Sequence, residues 1–276
     1  PLNTAGKIPL SLERGGQKMA VQNSILTNTS AFTALRTLNS INRNLDTTQN
    51  RVSTGLKVAG ALDNASTFAI AQGIRSELSG IDAVSQGLNS AKGIGNVAIA
   101  GVTGISNLLS DIRGKLTELS NEGITTAQRA ILTSDFNELL SQAGNFIANA
   151  SFNGTNLINS GAGSINTLSN LAGGTLSLTA QSGVNTQVGS LAAATIATAT
   201  NAQSVIANQY SNLESVVNTA LGSLGAEVRA LNLQTQFLEQ IRDATEEGLG
   251  NLVDADLARE SARLTSLQVQ QQLSTQ

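Results

Sequence analysis

Residues 74–119 read IRSELSGIDAVSQGLNSAKGIGNVAIAGVTGISNLLSDIRGKLTEL. Apolar or small residues recur in this stretch at alternating intervals of three and four. They run Ile74, Leu78, Ile81, Ser85, Leu88 and then, after a one-residue slip of phase, Ala91, Gly95, Ala98, Val102, Ile105, Leu109, Ile112, Leu116 and Leu119. That is the period of a helix packed along a narrow seam. At about 1.5 Å of rise per residue the stripe predicts a rod of roughly 70 Å. Gly93, Gly95, Gly101 and Gly104 argue against a helix, since each costs about 1 kcal/mol relative to Ala in a helix interior. The stripe continues on both sides of them, so the helix is expected to run through.

Four further stripes flank this one. Ala31, Ala34, Leu38, Ile41, Leu45, Thr48 and Val52 form the first. It ends at Gly55 and Gly60, within a segment over 53–60 that reads as a loop or hinge. Leu132, Phe136, Leu139, Ala143, Phe146 and Ala150 form a shorter stripe, preceded by Thr125 and Gln128 at capping-box spacing. From Phe152 to about Gly189 the chain turns rich in Gly, Asn, Ser and Thr. There Thr175-Leu176-Ser177-Leu178-Thr179 alternates as a half-buried strand does, which predicts a small hairpin among loops. Another long stripe runs Ile206, Tyr210, Leu213, Val217, Ala220, Leu224, Val228, Leu231, Thr235 and Leu238, and continues less cleanly to Leu249. The last is Val253, Leu257, Glu260, Leu264, Leu267 and Gln271.

The expected fold is mainly all-α: an elongated antiparallel bundle or coiled coil of long helices with a small β-hairpin region. Neither terminal helix can bury its narrow stripe alone, because an isolated helix with few apolar residues is marginal in water. They need each other, or copies of themselves. Three parts follow: a leader, tag remnant or mis-assigned start at 1–19; discontinuous terminal helices at 20–63 and 250–276; and a rod at 64–249 carrying the small β region at about 152–190.

Composition excludes much chemistry. The 276 residues include no Cys, His or Trp, one Tyr and one Met, and are 40% hydrophobic but only 3% aromatic. Without His or Cys there is no Ser-His-Asp triad, no thiolate nucleophile, no zinc site of nitrogen and sulfur ligands and no disulfide. The formal net charge is −3, from 16 basic and 19 acidic residues scattered singly, which leaves no electrostatic footprint for nucleic acid. The charge-poor runs at 96–105 and 183–203 are built of Gly, Ala, Ser, Thr and Asn and do not read as membrane spans. Residues 1–18 hold both prolines and no apolar run longer than Ile8-Pro9-Leu10, too short for a secretory signal.

Candidate sites reduce to bland readings. Gly93-Ile94-Gly95-Asn96-Val97-Ala98 fits a relaxed dinucleotide pattern, but it follows a helical stripe where a strand is needed. Asp254-Ala255-Asp256 opens like a calcium loop, yet Arg259 stands where Gly is required and Thr265 where Glu is required. The carboxylate pairs Glu246/Glu247 and Asp254/Asp256 lack any visible apolar pocket and read as solvated helix surface. The sequence carries no assembled catalytic constellation, and no enzyme, cofactor or metal is expected.

Three ordered motifs carry a resemblance. Arg51-Val52-Ser53-Thr54-Gly55-Leu56-Lys57-Val58, with Ala61-Leu62-Asp63-Asn64-Ala65 and Ala69-Ile70-Ala71, resembles the amino-terminal signature of bacterial flagellins. Phe152-Asn153-Gly154-Thr155-Asn156-Leu157-Ile158 is similar to the flagellin turn after the third helix. Asn251-Leu252-Val253-Asp254-Ala255-Asp256-Leu257-Ala258-Arg259-Glu260 resembles the carboxy-terminal signature in its alphaproteobacterial form. Met19 stands where a flagellin would begin.

The resemblance implies a structural subunit of the flagellar filament, self-assembling for motility and secreted without a cleaved signal peptide. It implies that both terminal helices pair in an inner core, with Leu38, Ile41, Leu45 and Val52 against Leu257, Leu264 and Leu267. It places a joint at Gly55, Gly60, Asp63 and Asn64. The implied partners are copies of itself, a flagellar export chaperone, the type III export apparatus, and cap and hook-junction proteins, with no nucleic acid and no membrane. The family's helix runs several turns beyond the position of Leu273, so part of it is expected to be missing and polymerisation weakened. Residues 109–116 align with the stretch that a flagellin-sensing Toll-like receptor reads. Arg113 matches that pattern, but Gly114-Lys115 replaces an acidic-apolar pair, so receptor activation is expected to be weak or absent. The competing readings are a hook-filament junction protein and a flagellin-like cell-surface polysaccharide-binding protein.

Overall fold

A computed structural model describes residues 27–276. The expected leader at 1–19 and the start of the first terminal segment lie outside the described residues. In chain order the elements are α1 (Thr29–Thr54), α2 (Ala65–Leu119), α3 (Thr126–Asn149), strands β1 (Ser151–Phe152), β2 (Thr155–Asn156), β3 (Ile165–Leu168) and β4 (Thr175–Leu178), then α4 (Ser182–Ala192), α5 (Ala199–Val205), a π-helical turn at Ile206–Tyr210, α6 (Ser211–Val253) and α7 (Leu257–Thr275). The chain divides into two compact units. One holds the described residues up to Phe68 with Val253–Gln276; the other is Ala69–Leu252.

The larger unit is an antiparallel bundle built on α2. Against α6 and the π-helical turn that leads into it, Tyr210 donates its hydroxyl to the Leu109 carbonyl at 3.0 Å, Gly95 faces Val228, and Arg242 meets Asp82 at 2.9 Å, so the two helices run in opposite directions. Against α3, Lys115 meets Asp135 at 3.4 Å and Gly104 faces Phe146, which is again antiparallel. From Ile81 to Leu119 the buried positions of α2, Ile94 apart, keep the alternation of three and four without a slip. The slip expected after Leu88 is absent because Val84, rather than Ser85, is the buried residue. On α6 the expected positions from Leu213 to Leu238 are all buried.

The glycines that argued against α2 lie where other elements close on it. A Cβ at Gly95 would come within 2.5 Å of the Val228 side chain, and one at Gly101 within 2.8 Å of the Ala150 Cβ. Close approach therefore offsets the propensity cost of glycine. By length and mean hydropathy (1.2 over its most apolar window) α2 would suffice to cross a bilayer. Its stripe is instead the spine of the core.

Local signals hold at the ends of α3. Thr125 accepts from the Gln128 amide and Gln128 returns a bond to the Thr125 amide, closing the capping box. The region after it differs from expectation. It contains two antiparallel hairpins, β1–β2 and β3–β4, where one was expected, and α4 occupies residues read as loop. Helix also begins at Ala199, ahead of the stripe that starts at Ile206. Val184, Val188 and Leu191 bury one face of α4 even though its other residues are Gly, Ser, Asn, Thr, Gln and Ala.

The π-helical turn ends on Tyr210, the single tyrosine of the chain. Arg113 lies over its ring, 5.9 Å from the centroid. Burial raises the phenol pKa above its ordinary value of 10.0, Glu214 raises it further, and Arg113 opposes them. The folded chain therefore holds this proton more tightly than the unfolded chain. The resulting stability is fully present below about pH 10 and is lost as pH rises through the folded value. Alkaline titration followed by near-ultraviolet absorbance, unambiguous with one tyrosine, is expected to show a midpoint above that of free tyrosine, accompanied by loss of helix. A midpoint at the free value would contradict the buried placement.

Candidate assembly seam

The smaller unit is organised by one helix pair. Asn28 caps α1 through the amides of Ser30 and Ala31, and Asp256 caps α7 through the amide of Arg259. Gly55, at φ 73°, ends α1 in the left-handed conformation that glycine adopts without steric cost. Two polar contacts fix the direction of the pair. The Gln271 amide donates to Asn42 Oδ1 at 2.8 Å, and Arg51 Nη1 meets Glu260 Oε1 at 3.3 Å. Moving forward along α1 moves backward along α7, so they are antiparallel.

Between these contacts lies the apolar seam. Ile41 (8% exposed) and Leu267 (7%) are buried, while Leu38, Leu45, Val52 and Leu264 are half-buried. Leu257 departs from the expected set: it is 49% exposed in the first turn of α7, and the next stripe position, Glu260, is buried at 8%. Glu260 is shielded with Arg51 as its partner, and its Oε2 is buried without a hydrogen bond. Burying a carboxylate is expensive unless a cation faces it. This pair therefore ties α7 to one register on α1.

The segment expected to be a loop or hinge carries a backbone clasp within the smaller unit. The Lys57 and Val58 amides both donate to the Val253 carbonyl, at 2.7 and 3.3 Å, and the Ala255 amide donates to the Gly55 carbonyl at 2.8 Å. Leu56 and Asp254 form an antiparallel bridge, and Val58 and Val253 are buried beneath it. Asp63 Oδ2 accepts from the Ala59 and Gly60 amides, and Asn64 Oδ1 accepts from the Thr67 amide to start α2. Gly60 has open space around it and no positive φ. Of the four residues expected at a joint, Gly55, Asp63 and Asn64 thus fix the backbone.

Sequence reasoning placed Glu260 and Gln271 in the last stripe but gave neither a partner. Val253 opens that stripe, and Arg51 and Val58 stand in the amino-terminal signature, but the pattern assigns none of them a contact, and Asn42 carries no signal of its own. The polar residues inside an otherwise apolar stripe were the available signal.

This pairing of two terminal helices, which a long-helix unit separates in sequence, has counterparts among known proteins. Residues 25–163 match the family model of the bacterial flagellin N-terminal helical region, and residues 210–276 that of the bacterial flagellin C-terminal helical region. The chain belongs to the bacterial flagellins. Flagellin FljM of Caulobacter vibrioides is 35% identical over 254 residues, covering 92% of this chain and 93% of its own. A flagellin of Brucella melitensis is 34% identical over 268 residues at the same coverage. Flagellin C of Rhizobium meliloti is 28% identical over 304 residues. The crystal structure of Bacillus cereus flagellin overlays with a TM-score of 0.49 at 18% identity, covering 55% of this chain and 88% of that one. This flagellin is a structural subunit of the flagellar filament, outside the cell, and not an enzyme. It assembles with copies of itself.

Arg113, the residue that matches the receptor-read pattern, is exposed on α2 over Tyr210. Gly114 beside it presents no side chain, and Lys115 turns to Asp135 of α3.

Proposed function

We propose that the α1–α7 pair is the surface through which this flagellin polymerises. The supporting observation is that the pair buries one apolar row and leaves another in water: Phe32 (52% exposed), Leu35 (54%), Val269 (49%) and Leu273 (68%), with Leu257. A structural subunit whose terminal helices still expose large apolar side chains gains further burial from neighbouring copies. Repetition of one such contact along a helix of subunits gives a filament rather than a closed ring. In this reading the segments 20–63 and 250–276 form the inner core of the filament and 64–249 the surrounding rod.

Before assembly the same apolar row needs cover. An export chaperone holding α7, passage through the type III apparatus without a cleaved signal peptide, and insertion beneath a cap onto hook-junction proteins supply that sequence of environments. The Gly114-Lys115 pair, with Lys115 engaged by Asp135, supports weak or absent activation of the flagellin-sensing receptor. A reporter-cell response equal to that of an enteric flagellin would contradict it.

Seeded elongation tests the assembly surface. The folded chain is added to short filament seeds and growth is followed by electron microscopy. Continuous growth is expected. Seeds that gain only a terminal ring, or none, would overturn the polymerising role of the pair.

A further inference from the structure

Seven described asparagines lie outside helices and β3, and six of them use their carboxamide oxygen. Asn28 caps α1 and Asn64 caps the start of α2; Asn121 accepts from the Gly123 amide, Asn156 from Ile158 and Asn159, Asn159 from Gly161, and Asn170 from Ala172 and Gly174. Asn153 is the exception among the described residues, with no hydrogen bond to its side chain, and it is exposed. It is also the only asparagine in the sequence that is followed by glycine.

Asn153 and Gly154 form the two-residue loop between β1 and β2. Their φ angles are 49° and 77°, the paired left-handed conformations of a tight hairpin turn. In that turn the Gly154 amide donates to nothing among the described residues, and glycine puts no side chain in the way of its nitrogen. The ladder that holds the turn has only two residue pairs, Ser151 with Asn156 and Phe152 with Thr155. A two-stranded ribbon this short restrains its loop weakly.

We infer that Asn153–Gly154 is a site of spontaneous covalent modification, in which the turn closes to a succinimide and reopens as aspartate or isoaspartate. The Gly154 amide nitrogen, losing its proton, attacks Cγ of Asn153. The Cγ–Nδ2 bond breaks and ammonia leaves, forming a five-membered imide. Water then adds to one of its two carbonyls. Opening at the backbone carbonyl carries the chain through the former side chain and gives isoaspartate; opening at the side-chain carbonyl gives aspartate. Only water is consumed, ammonia is released and base acts as a catalyst, with no oxidant or enzyme.

Both products add a negative charge to a chain of formal net charge −3. The isoaspartate also inserts a carbon into the backbone of a loop whose register depends on being two residues long. Phe152, next to the loop, rests its ring on α2 at Gly93, where a Cβ would lie 2.8 Å from the ring. The modified turn therefore withdraws support from that ring. A filament subunit stays in service outside the cell, so the product accumulates with the age of the filament.

The test holds the full folded chain at mildly alkaline pH, digests samples over time, and weighs the peptides. The probe for the branched product is methyl transfer by a protein isoaspartyl methyltransferase. The peptide containing Asn153 is expected to gain about 1 Da and to become a methyl acceptor. It should do so roughly tenfold faster than peptides carrying the other loop asparagines. Asn153→Gly keeps a turn compatible with two positive φ values and is expected to abolish both signals. If Asn153 in the unsubstituted folded chain converts no faster than the others, or the methyl acceptor persists in Asn153→Gly, the inference is wrong.

Discussion

Leu45→Asp and Leu264→Asp are each expected to stop filament growth while leaving the Ala69–Leu252 unit folded. Both leucines are half-buried on facing helices of the α1–α7 pair. Full burial of a leucine is worth roughly 1.5–3 kcal/mol, so the partial burial seen within one chain accounts for only part of that. The remainder is available to neighbouring subunits. Aspartate removes the apolar surface and adds a charge that must be desolvated at each subunit contact, a penalty repeated along the filament. Electron microscopy of seeded growth reads assembly, and circular dichroism reads the long helices of α2 and α6. Normal filaments from either variant would refute the seam.

Arg51→Ala is expected to loosen α7 from α1 by about 2–3 kcal/mol. Removing one partner of a buried pair strands the other charge, and such losses reach roughly 3–5 kcal/mol when both groups are enclosed. Glu260 retains only 11% of its side-chain exposure, whereas Arg51 keeps 33%, so solvent screening places the effect below that range. Its second oxygen already lacks a partner, so after the substitution neither would have one. Glu260→Met added to Arg51→Ala is expected to recover most of the loss, because no charge is then left buried. Hydrogen exchange of the α7 amides, compared across the double-mutant cycle, measures the coupling. Equal protection in Arg51→Ala and the unsubstituted chain would show that the pair does not hold the register.

The parts of this fold that were legible in the sequence are those in which one face of a long helix meets one continuous partner. Ala98, Val102, Ile105, Leu109 and Ile112 repeat without interruption because a straight seam samples the helix at one period. Thr125 and Gln128 were legible because a capping box is local. Helix α4 was hidden because Val184, Val188 and Leu191 give too few apolar positions to stand out in a stretch otherwise of small and polar residues. The clasp was hidden for a different reason. Gly55–Val58 carries no strand pattern, and its hydrogen bonds go to Val253–Ala255, far away in sequence. Likewise the stripe showed where Glu260 sits but not that Arg51 answers it. Pairings between distant segments leave no periodic trace in either segment.

The same distance governs when the terminal pair can exist. Arg51 and Glu260 are 209 residues apart, and every contact that orients α7 reaches back to the other end of the described chain. Closing so long a loop adds little entropy beyond that of a loop half its length, but it requires that both ends have been made. During synthesis α1 precedes α7 by almost the whole chain, and α1 alone is a marginal helix with no partner for its stripe. The bundle of α2, α3 and α6 has its own core and does not wait for α7. An incomplete chain therefore lacks the α1–α7 pair, and if that pair is the polymerising surface proposed above, completion of synthesis itself sets the earliest moment at which a subunit is competent to join another.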